Sequence, residues 1–384
     1  MKQTFTYLVA AVLGFLSPSL SSQAQNFNGV FKEVTSQADF TEGYYVIAHQ
    51  KDTHDFIALI GEDHENNKHR GEHKELKNVA NGITTNPELK TVWKIEKTSD
   101  GKFTVQKNDQ TEKYLAPTKK RNQLAISTTP YPLTIDTYTP RGDKGHGFSL
   151  RSDSDEESWL AFHENSQVYS FVFSTRNKSG NFTNGTHSPL FFKLVAPFTM
   201  SAAKYATYYG DKTVKLPAGL TANVGEIDAQ KHMLKLTPIG NVVPANTAVI
   251  ITGAAGEYTL DVSTEAGSAP AKNDLKGSLT EIPETTVSSA SVAYYAMAYN
   301  TESQKVSFGL VEGTSIPAGK AYIEIPKTAG AAPELLGDFL ISSVQHVQRD
   351  TDSATIYDLN GRKVTQPVSG QLYVRNGKKF IYLR

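Results

Sequence analysis

The feature that most constrains this fold is a pair of aromatic residues that occurs three times with the same separation. In every pair the second aromatic comes 11 residues after the first, and the pairs are Tyr45 with Phe56, Phe103 with Tyr114, and Phe148 with Trp159. The first aromatic begins an alternation of apolar and polar residues, and a polar run follows before the second aromatic. This alternation, interrupted by turn-forming residues, predicts two strands joined by a turn in each copy.

Further strand-like segments follow each pair. A closing segment places an aromatic residue or Leu two positions before an aliphatic residue, as in Trp93 with Ile95, Leu133 with Ile135, and Phe192 with Leu194. The runs at 123–127 and 170–174 fit additional strands. We therefore expect about four strands per copy and three copies between Asn26 and Val195.

One such unit cannot bury its apolar face alone, so three units are expected to close around a shared axis. That is the arrangement of a β-trefoil, in an all-β chain. The alternation of side chains along a strand predicts that several of the aromatics lie in the core, namely Tyr45, Trp93, Phe103, Phe148 and Phe192.

The stretch from Trp93 to Ala116, WKIEKTSDGKFTVQKNDQTEKYLA, resembles ricin-type and related trefoil lectin modules in its rhythm. The Gln-x-Trp motif of those modules is absent from all three copies. The resemblance implies a β-trefoil-like domain over 26–196. It also implies that a sugar ring stacks on an exposed aromatic while nearby polar groups bond its hydroxyls.

Two candidate ligand pockets follow from that resemblance. The first is formed by Trp159, His163, Glu164 and Asn165, and the second by Tyr114, Lys119 and Asn122. The alternative for the two aromatics is that they pack in the core, where their rings would not reach a ligand.

The first copy contains an insertion from Gly61 to Gly82. The second aromatics of the first two copies are 58 residues apart, whereas those of the last two copies are 45 apart. The inserted segment is charged and has no apolar periodicity before Leu76. This composition predicts a surface loop or a short exposed helix.

Three histidines of the insertion, His64, His69 and His73, are candidate metal ligands. His69 and His73 are four residues apart, so on a helix they would share a face and could bind a metal. No His-Glu-x-x-His motif is present, and Gly71 between them disfavours a helix. A solvated polar loop is therefore the alternative.

From about Pro197 to residue 340 the composition shifts to Ala, Thr, Val and Gly, and short strand-like runs continue. The segments 242–252 and 315–325 each carry a Pro-Ala turn followed by a buried strand. Many short strands of this kind predict a β-sandwich module. Together with 204–220, KYATYYGDKTVKLPAGL, these turns resemble an accessory β-module of many secreted proteins of Bacteroides and Prevotella, a resemblance that supplies no catalytic residues.

Residues 341–384 carry two Asn-Gly turn signals between strand-like runs. This segment resembles the C-terminal β-module of secreted Bacteroidetes proteins, which is similar to the type IX secretion sorting domain. The matching residues are Tyr357, Asp358, Gly361, Arg362, Gly370, Tyr373, Asn376, Gly377, Lys378 and Lys379. The resemblance implies that the module is exchanged for a glycolipid anchor, or else that it caps the sandwich.

The first 25 residues have the pattern of a secretory signal peptide. Lys2 supplies the positive start, Leu8 to Leu16 the apolar stretch, and Ser21 to Gln25 a small, polar cleavage region. The chain has no cysteine, which excludes a lipid-modified Cys, disulfides and Cys-ligated zinc. No other segment approaches the ~20 apolar residues of a membrane helix. We therefore expect a secreted or outer-surface protein that does not span a membrane.

The residue types favour a binding protein over an enzyme. Basic and acidic residues both total 39, so no basic excess favours a nucleic-acid partner. Gly-x-Ser-x-Gly and a glycine-rich phosphate loop are absent, and the acids of 153–158 fall on a turn rather than facing each other.

We predict a non-catalytic protein, without a cofactor, that binds a glycan or another host or bacterial surface ligand. One alternative is a protein-binding adhesin or protease inhibitor that uses the insertion at 61–82. The other alternative is a hydrolase whose catalytic residues are dispersed along the sequence.

Overall fold

The computed structural model of the chain describes residues 27–52, 55–64, 67–110, 112–118, 123–137, 145–153, 158–164, 169–175, 186–228, 233–289, 291–300, 305–327, 339–342, 356–357, 363–364, 372–375 and 378–381. The signal peptide and three candidate ligand residues, Lys119, Asn122 and Asn165, lie outside the described residues. The fold is all-β, with several antiparallel sheets, as the sequence predicts. Two compact units are present, one ending at Ile341 and the other beginning at Ser342.

Fifteen strands are described between residues 27 and 200. They are β1 (Val30–Glu33), β2 (Gly43–Gln50), β3 (Phe56–His64), β4 (Asn67–Leu76), β5 (Ile83–Thr85), β6 (Val92–Lys97), β7 (Phe103–Lys107), β8 (Tyr114–Pro117), β9 (Leu124–Ser127), β10 (Thr134–Thr137), β11 (Phe148–Ser152), β12 (Ser158–Glu164), β13 (Tyr169–Thr175), β14 (Thr186–His187) and β15 (Leu190–Met200). Short 3-10 turns occupy Gln37–Asp39 and Leu89–Thr91. The strand-like runs of all three copies fall on these strands.

The pairing of these strands repeats three times. The strands that carry the two aromatics pair with each other as β2–β3, β7–β8 and β11–β12. The second strand then forms a hairpin with the next one, as β3–β4, β8–β9 and β12–β13. The first strand of each copy also joins an adjoining copy, through β15–β2, β6–β7 and β10–β11.

The first aromatics of the three copies meet around one side chain, Phe40. The ring centroid of Phe40 lies 5.0 Å from that of Tyr45, 5.2 Å from Phe103 and 6.4 Å from Phe148. All three are at most 5% exposed, so the prediction that they form the core is confirmed. The same cluster contains Trp93, which is fully buried.

The third closing strand, β15, turns a different residue toward this core than the sequence predicts, and the inward position is shifted by one residue. Phe192 is buried, as predicted, but it packs in a second cluster on the other face of β15. Phe191 occupies the inward position, 5.0 Å from Phe40. The first five residues of this strand are buried on both faces, so the spacing of Phe192 and Leu194 cannot tell which face points inward.

The insertion at 61–82 is not a loop or a helix, because β3 and β4 continue through most of it as a hairpin. Gly61, with φ +66, lies where the register of the pair shifts. Gly71 is directly opposite Phe171 of β13, and a Cβ there would come 2.7 Å from Leu59 Cδ1. A larger residue would have to displace the Leu59 side chain, so glycine favours this close approach to β13. The segment carries no apolar periodicity that would reveal the contact.

The described residues between 201 and 342 add twelve strands and one short helix. They are β16 (Tyr205–Tyr208), β17 (Val214–Lys215), β18 (Leu220–Asp228), β19 (Met233–Gly240), β20 (Val242–Val243), β21 (Val249–Gly253), β22 (Gly256–Val262), β23 (Leu275–Gly277), α1 (Glu284–Ser289), β24 (Val292–Asn300), β25 (Lys305–Leu310), β26 (Ala321–Pro326) and β27 (Phe339–Ser342). Nine of these strands form one antiparallel sheet around a core that includes Tyr295 and Phe308. The short helix has no counterpart in the sequence prediction.

The expected domain boundary at 196/197 falls inside β15. The first part of this strand pairs with β2, and its last part, from Val195 to Met200, pairs with β22. The strands β17, β20 and β22 therefore belong to the same sheet as the repeat strands. The division of the chain at this point stays a prediction.

The Pro-Ala turns share one backbone feature. The residue after Pro-Ala has a positive φ in each of them, +57 at Asn246 and +73 at Gly319. A third copy of the motif, which ends at Gly219, shows +88. Glycine and asparagine are the residues that tolerate this left-handed conformation best, so the motif fixes a tight turn before β18, β21 and β26.

The few described residues of the second unit form four strands, β28 (Ile356–Tyr357), β29 (Lys363–Val364), β30 (Leu372–Arg375) and β31 (Lys378–Ile381). β28 pairs with β29 and β30, and β30 pairs with β31. Arg375 is opposite Lys378, which leaves the two residues Asn376 and Gly377 between the strands. This register agrees with the predicted Asn-Gly hairpin.

Candidate functional site

A cluster of polar side chains lies at one end of the aromatic core. We call His49, Glu164 and His187 the histidine–glutamate cluster. His49 continues the inward face of β2 after Tyr45 and Ile47, since alternate residues of a strand share a face. Glu164 likewise follows Leu160 and Phe162 on the inward face of β12. β14 places His187 directly opposite Phe162.

The carboxylate of Glu164 lies close to both imidazoles. Its Oε2 is 3.4 Å from His187 Nε2 and 3.9 Å from His49 Nε2. The two imidazole centroids are 5.3 Å apart, and the ring of His49 stacks on Phe162 with centroids 4.1 Å apart. His49 is 1% exposed, whereas Glu164 is 28% exposed, so the carboxylate is the member that faces solvent.

His73 lies near this cluster and meets Phe162 edge-on rather than stacked. It is opposite Leu59 in the β3–β4 ladder, and its ring centroid is 6.0 Å from that of Phe162. Its Nδ1 is 3.7 Å from Glu72 Oε1. The structure therefore places His73, a candidate metal ligand, beside the ring of Phe162, whose strand also carries Glu164, a candidate pocket residue.

The helical face proposed for His69 and His73 does not exist. Both residues belong to β4, where four positions correspond to about 13 Å along the strand. His64 is at the end of β3, and the side chains of His64 and His69 lie outside the described part of the chain. Among the residues that the structure describes, no group of three His, Asp or Glu side chains could hold a metal ion.

Trp159 does not present a ring face to solvent. It is 3% exposed and forms a small cluster with Ala161. The guanidinium carbon of Arg151, its partner in the ladder, lies 5.9 Å from the centre of the Trp159 ring. This burial agrees with the core-packing alternative for Trp159.

Tyr114 is half-buried on β8, and its hydroxyl accepts a hydrogen bond of 3.2 Å from Gln106 Nε2. His163 and Glu164 are neighbours on β12, so they point to opposite faces and only Glu164 joins the cluster. The members of each candidate pocket therefore differ in exposure. Trp159 is buried, and Tyr114, His163 and Glu164 are half-exposed. The remaining members lie outside the described residues.

Sequence reasoning missed His49 and His187. His49 could have been found, because it is a polar residue at an inward position of the alternation that starts at Tyr45. His187 carries no such signal, since its place depends on the pairing of the two-residue strand β14 with β12.

A second polar group fixes the repeat strands to β17 and β22. Lys193 Nζ lies 3.2 Å from Asp261 Oδ2. Lys215 Nζ donates a hydrogen bond of 2.6 Å to Glu42 Oε1 and lies 2.6 Å from Glu265 Oε2. Burial lowers the pKa of Lys193, and the nearby charge of Asp261 opposes that shift only in part.

Burial alone would raise the pKa of Glu42, but the Lys215 hydrogen bond and the charges of Lys215 and Lys193 hold it below its ordinary value. The Glu42 carboxylate is therefore ionised and paired with Lys215, and this pairing offsets the free-energy cost of burying its charge.

Comparison with known proteins gives little further information. No family model and no curated protein matches the sequence. A solved structure of a mosquitocidal holotoxin is similar over 78% of this chain and 35% of its own, with 10% identity and a TM-score of 0.27. This chain thus spans about a third of that protein, and a TM-score of this size supports no conclusion about fold or function. Within the described ranges, no helix has the length and apolar character needed to cross a membrane.

Proposed function

We propose that residues 26–196 form a β-trefoil. Three sets of equivalent strand pairings and three equivalent aromatics around Phe40 support this arrangement. In a trefoil, three hairpins cover one end of a six-stranded barrel. The contacts between hairpins, which pair Gly71 with Phe171 and Gln123 with Phe173, fit that description.

We further propose that the chain is a non-catalytic, exported protein that binds glycans at the histidine–glutamate cluster. The observation that carries the proposal is the position of Glu164, which is part-exposed beside two imidazoles at the end of an otherwise apolar core. A carboxylate accepts hydrogen bonds at both oxygens, and charge-assisted bonds to hydroxyls are among the stronger ones. Such a group, fixed by neighbouring side chains, suits a ligand rich in hydroxyls.

Export and surface display are part of this proposal. The signal-peptide pattern of residues 1–25 and the resemblance of 341–384 to a sorting module support them. Cell fractionation and mass spectrometry of the mature protein would test both ends of the chain. An intracellular protein that retains residues 1–25 would contradict export.

A glycan array probed with the full mature chain tests the binding function. Glu164→Gln keeps the size of the side chain but removes its charge, and it is expected to weaken binding about 10-fold or more. Glu75→Gln is the matched control, because Glu75 is an exposed glutamate on β4 that is not a member of the cluster. The proposal fails if the folded chain binds no glycan, or if Glu164→Gln binds as the unchanged protein does.

A further inference from the structure

The strands after residue 200 form a cleft that lies apart from the histidine–glutamate cluster. Its volume is about 390 Å³, which is within the range of small-ligand pockets. We call it the tyrosine cleft and define it by six of its lining residues, Tyr209, Asn246, Asn273, Lys276, Tyr322 and Glu324.

The two Pro-Ala segments singled out in the sequence converge on this cleft. The first segment supplies Asn246, the left-handed residue of its turn. The second supplies Tyr322 and Glu324, which alternate on one face of β26. Two segments that repeat one motif far apart in the chain therefore both line a single site.

The same two turns hold Tyr209 in place. The Tyr209 N–H donates a hydrogen bond of 3.0 Å to the carbonyl of Gly319, and the Asn246 N–H donates one of 2.7 Å to the carbonyl of Gly210. The Tyr209 ring lies directly against Gly277, where a Cβ would come 2.2 Å from ring atoms. An aromatic ring fixed in this way loses little conformational entropy when a ligand packs on it.

The polar groups of the cleft divide into structural and exposed ones. Asn273 is structural, since its amide donates to the Ala248 carbonyl at 2.8 Å and its oxygen accepts from the Gly225 N–H at 3.1 Å. Asn246 and Lys276 are exposed. They add amide and ammonium donors at the rim.

Tyr322 and Glu324 form the polar wall of β26. Burial, with the adjacent charge of Glu324, raises the pKa of Tyr322 to about 12. The hydroxyl therefore stays protonated and hydrogen-bonds to Glu324, and the half-buried Glu324 offers its remaining acceptor positions to the cleft.

We propose that the tyrosine cleft is a carbohydrate-binding site. The half-exposed, fixed ring of Tyr209 offers an apolar face to the C–H face of a sugar, and the amide, ammonium and carboxylate groups offer partners to its hydroxyls. One lysine and one glutamate balance each other in charge, which favours a neutral saccharide over a charged one. This site shares no residue with the proposed glycan site at Glu164, so neither proposal rests on the other.

A glycan array probed with the full mature chain and four variants tests the proposal. Tyr209→Ala is expected to weaken binding of one group of glycans about 10-fold or more, because it removes the packing surface. Asn246→Gly removes the amide yet keeps a residue that tolerates φ +57, so the turn stays intact, and a loss of about 3- to 10-fold is expected. Tyr299→Ala is the matched control, because Tyr299 is an exposed tyrosine of the same sheet outside the cleft. Glu164→Gln distinguishes the two sites.

Glycans that lose affinity in Tyr209→Ala and Asn246→Gly but keep it in Glu164→Gln and Tyr299→Ala would support the cleft. If every bound glycan is lost only in Glu164→Gln, the cleft proposal is overturned and the proposed function stands. A folded chain that binds no glycan overturns both. If thermal unfolding shows that Tyr209→Ala is not folded, Asn246→Gly decides, and unchanged binding by that variant rejects the cleft.

Discussion

His187 Nε2 lies 3.4 Å from Glu164 Oε2, at the solvent-facing edge of an aromatic core. The contact arises because β14 places His187 opposite Phe162, two residues before Glu164 on β12. A third side chain, His49 of β2, completes the group from the first copy of the repeat. The cluster therefore joins the first and third copies at the place where the proposed ligand would bind.

A double-mutant cycle measures the coupling between these two residues. Glu164→Gln, His187→Gln and the double variant are expected to give a coupling energy of about 0.5–1 kcal/mol in urea denaturation, because the pair is close but Glu164 is partly solvated. The same cycle with Glu75→Gln in place of Glu164→Gln should give no coupling. Strictly additive effects of Glu164→Gln and His187→Gln would contradict the contact.

Phe40 is expected to be among the most sensitive core positions. Phe40→Ala removes a ring that contacts the first aromatic of every copy, so the free energy of unfolding should fall by about 3–5 kcal/mol. Tyr299→Ala, at an exposed position, should change it by less than about 0.5 kcal/mol. A loss below about 1 kcal/mol in Phe40→Ala would mean that the three copies do not share this centre.

Gly71 tests the hairpin that replaces the expected loop. Gly71→Val would place side-chain atoms against Leu59 and Phe171, and a loss of about 1–3 kcal/mol in unfolding free energy is expected. Glu75→Val at an exposed position of the same strand is the control and should have little effect. Equal stability of Gly71→Val and the unchanged protein would restore a surface loop at this position.

The pair formed by Glu42 and Lys215 predicts a pH dependence. The pKa of Glu42 is lowered in the folded state, so its contribution to stability is present above the ordinary value of about 4.3 and is lost as pH falls through the lower folded value. The difference in unfolding free energy between the unchanged protein and Glu42→Gln should therefore shrink on acidification. A difference that stays constant from about pH 7 to about pH 3 would contradict the pairing.

The strands were predictable because their alternation is local. The aromatic pairs located β2 with β3, β7 with β8 and β11 with β12, and the Asn-Gly signal located the turn between β30 and β31. Alternation fails where both faces of a strand are buried, as in β15, so the inward residue is Phe191 and not Phe192. It also fails where glycine replaces an apolar side chain, as at Gly71.

The site depended on contacts that local patterns do not encode. Glu164 was expected in a pocket with Trp159, but the two residues are five apart on β12 and therefore lie on opposite faces, and Trp159 is buried under Arg151. His49 and His187 reach Glu164 only through long-range pairing of β2, β12 and β14 with their neighbours. The convergence of two Pro-Ala segments on the tyrosine cleft is of the same kind.

A crystal structure of the full mature chain, soaked with the glycan that it binds most tightly on the array, tests the central claim most directly. We expect three hairpins related by rotation about an axis near Phe40, and sugar density within hydrogen-bond distance of the Glu164 carboxylate. Hairpins without that relation, or sugar density that leaves Glu164 and His187 untouched, would contradict the account of the repeat domain and its ligand.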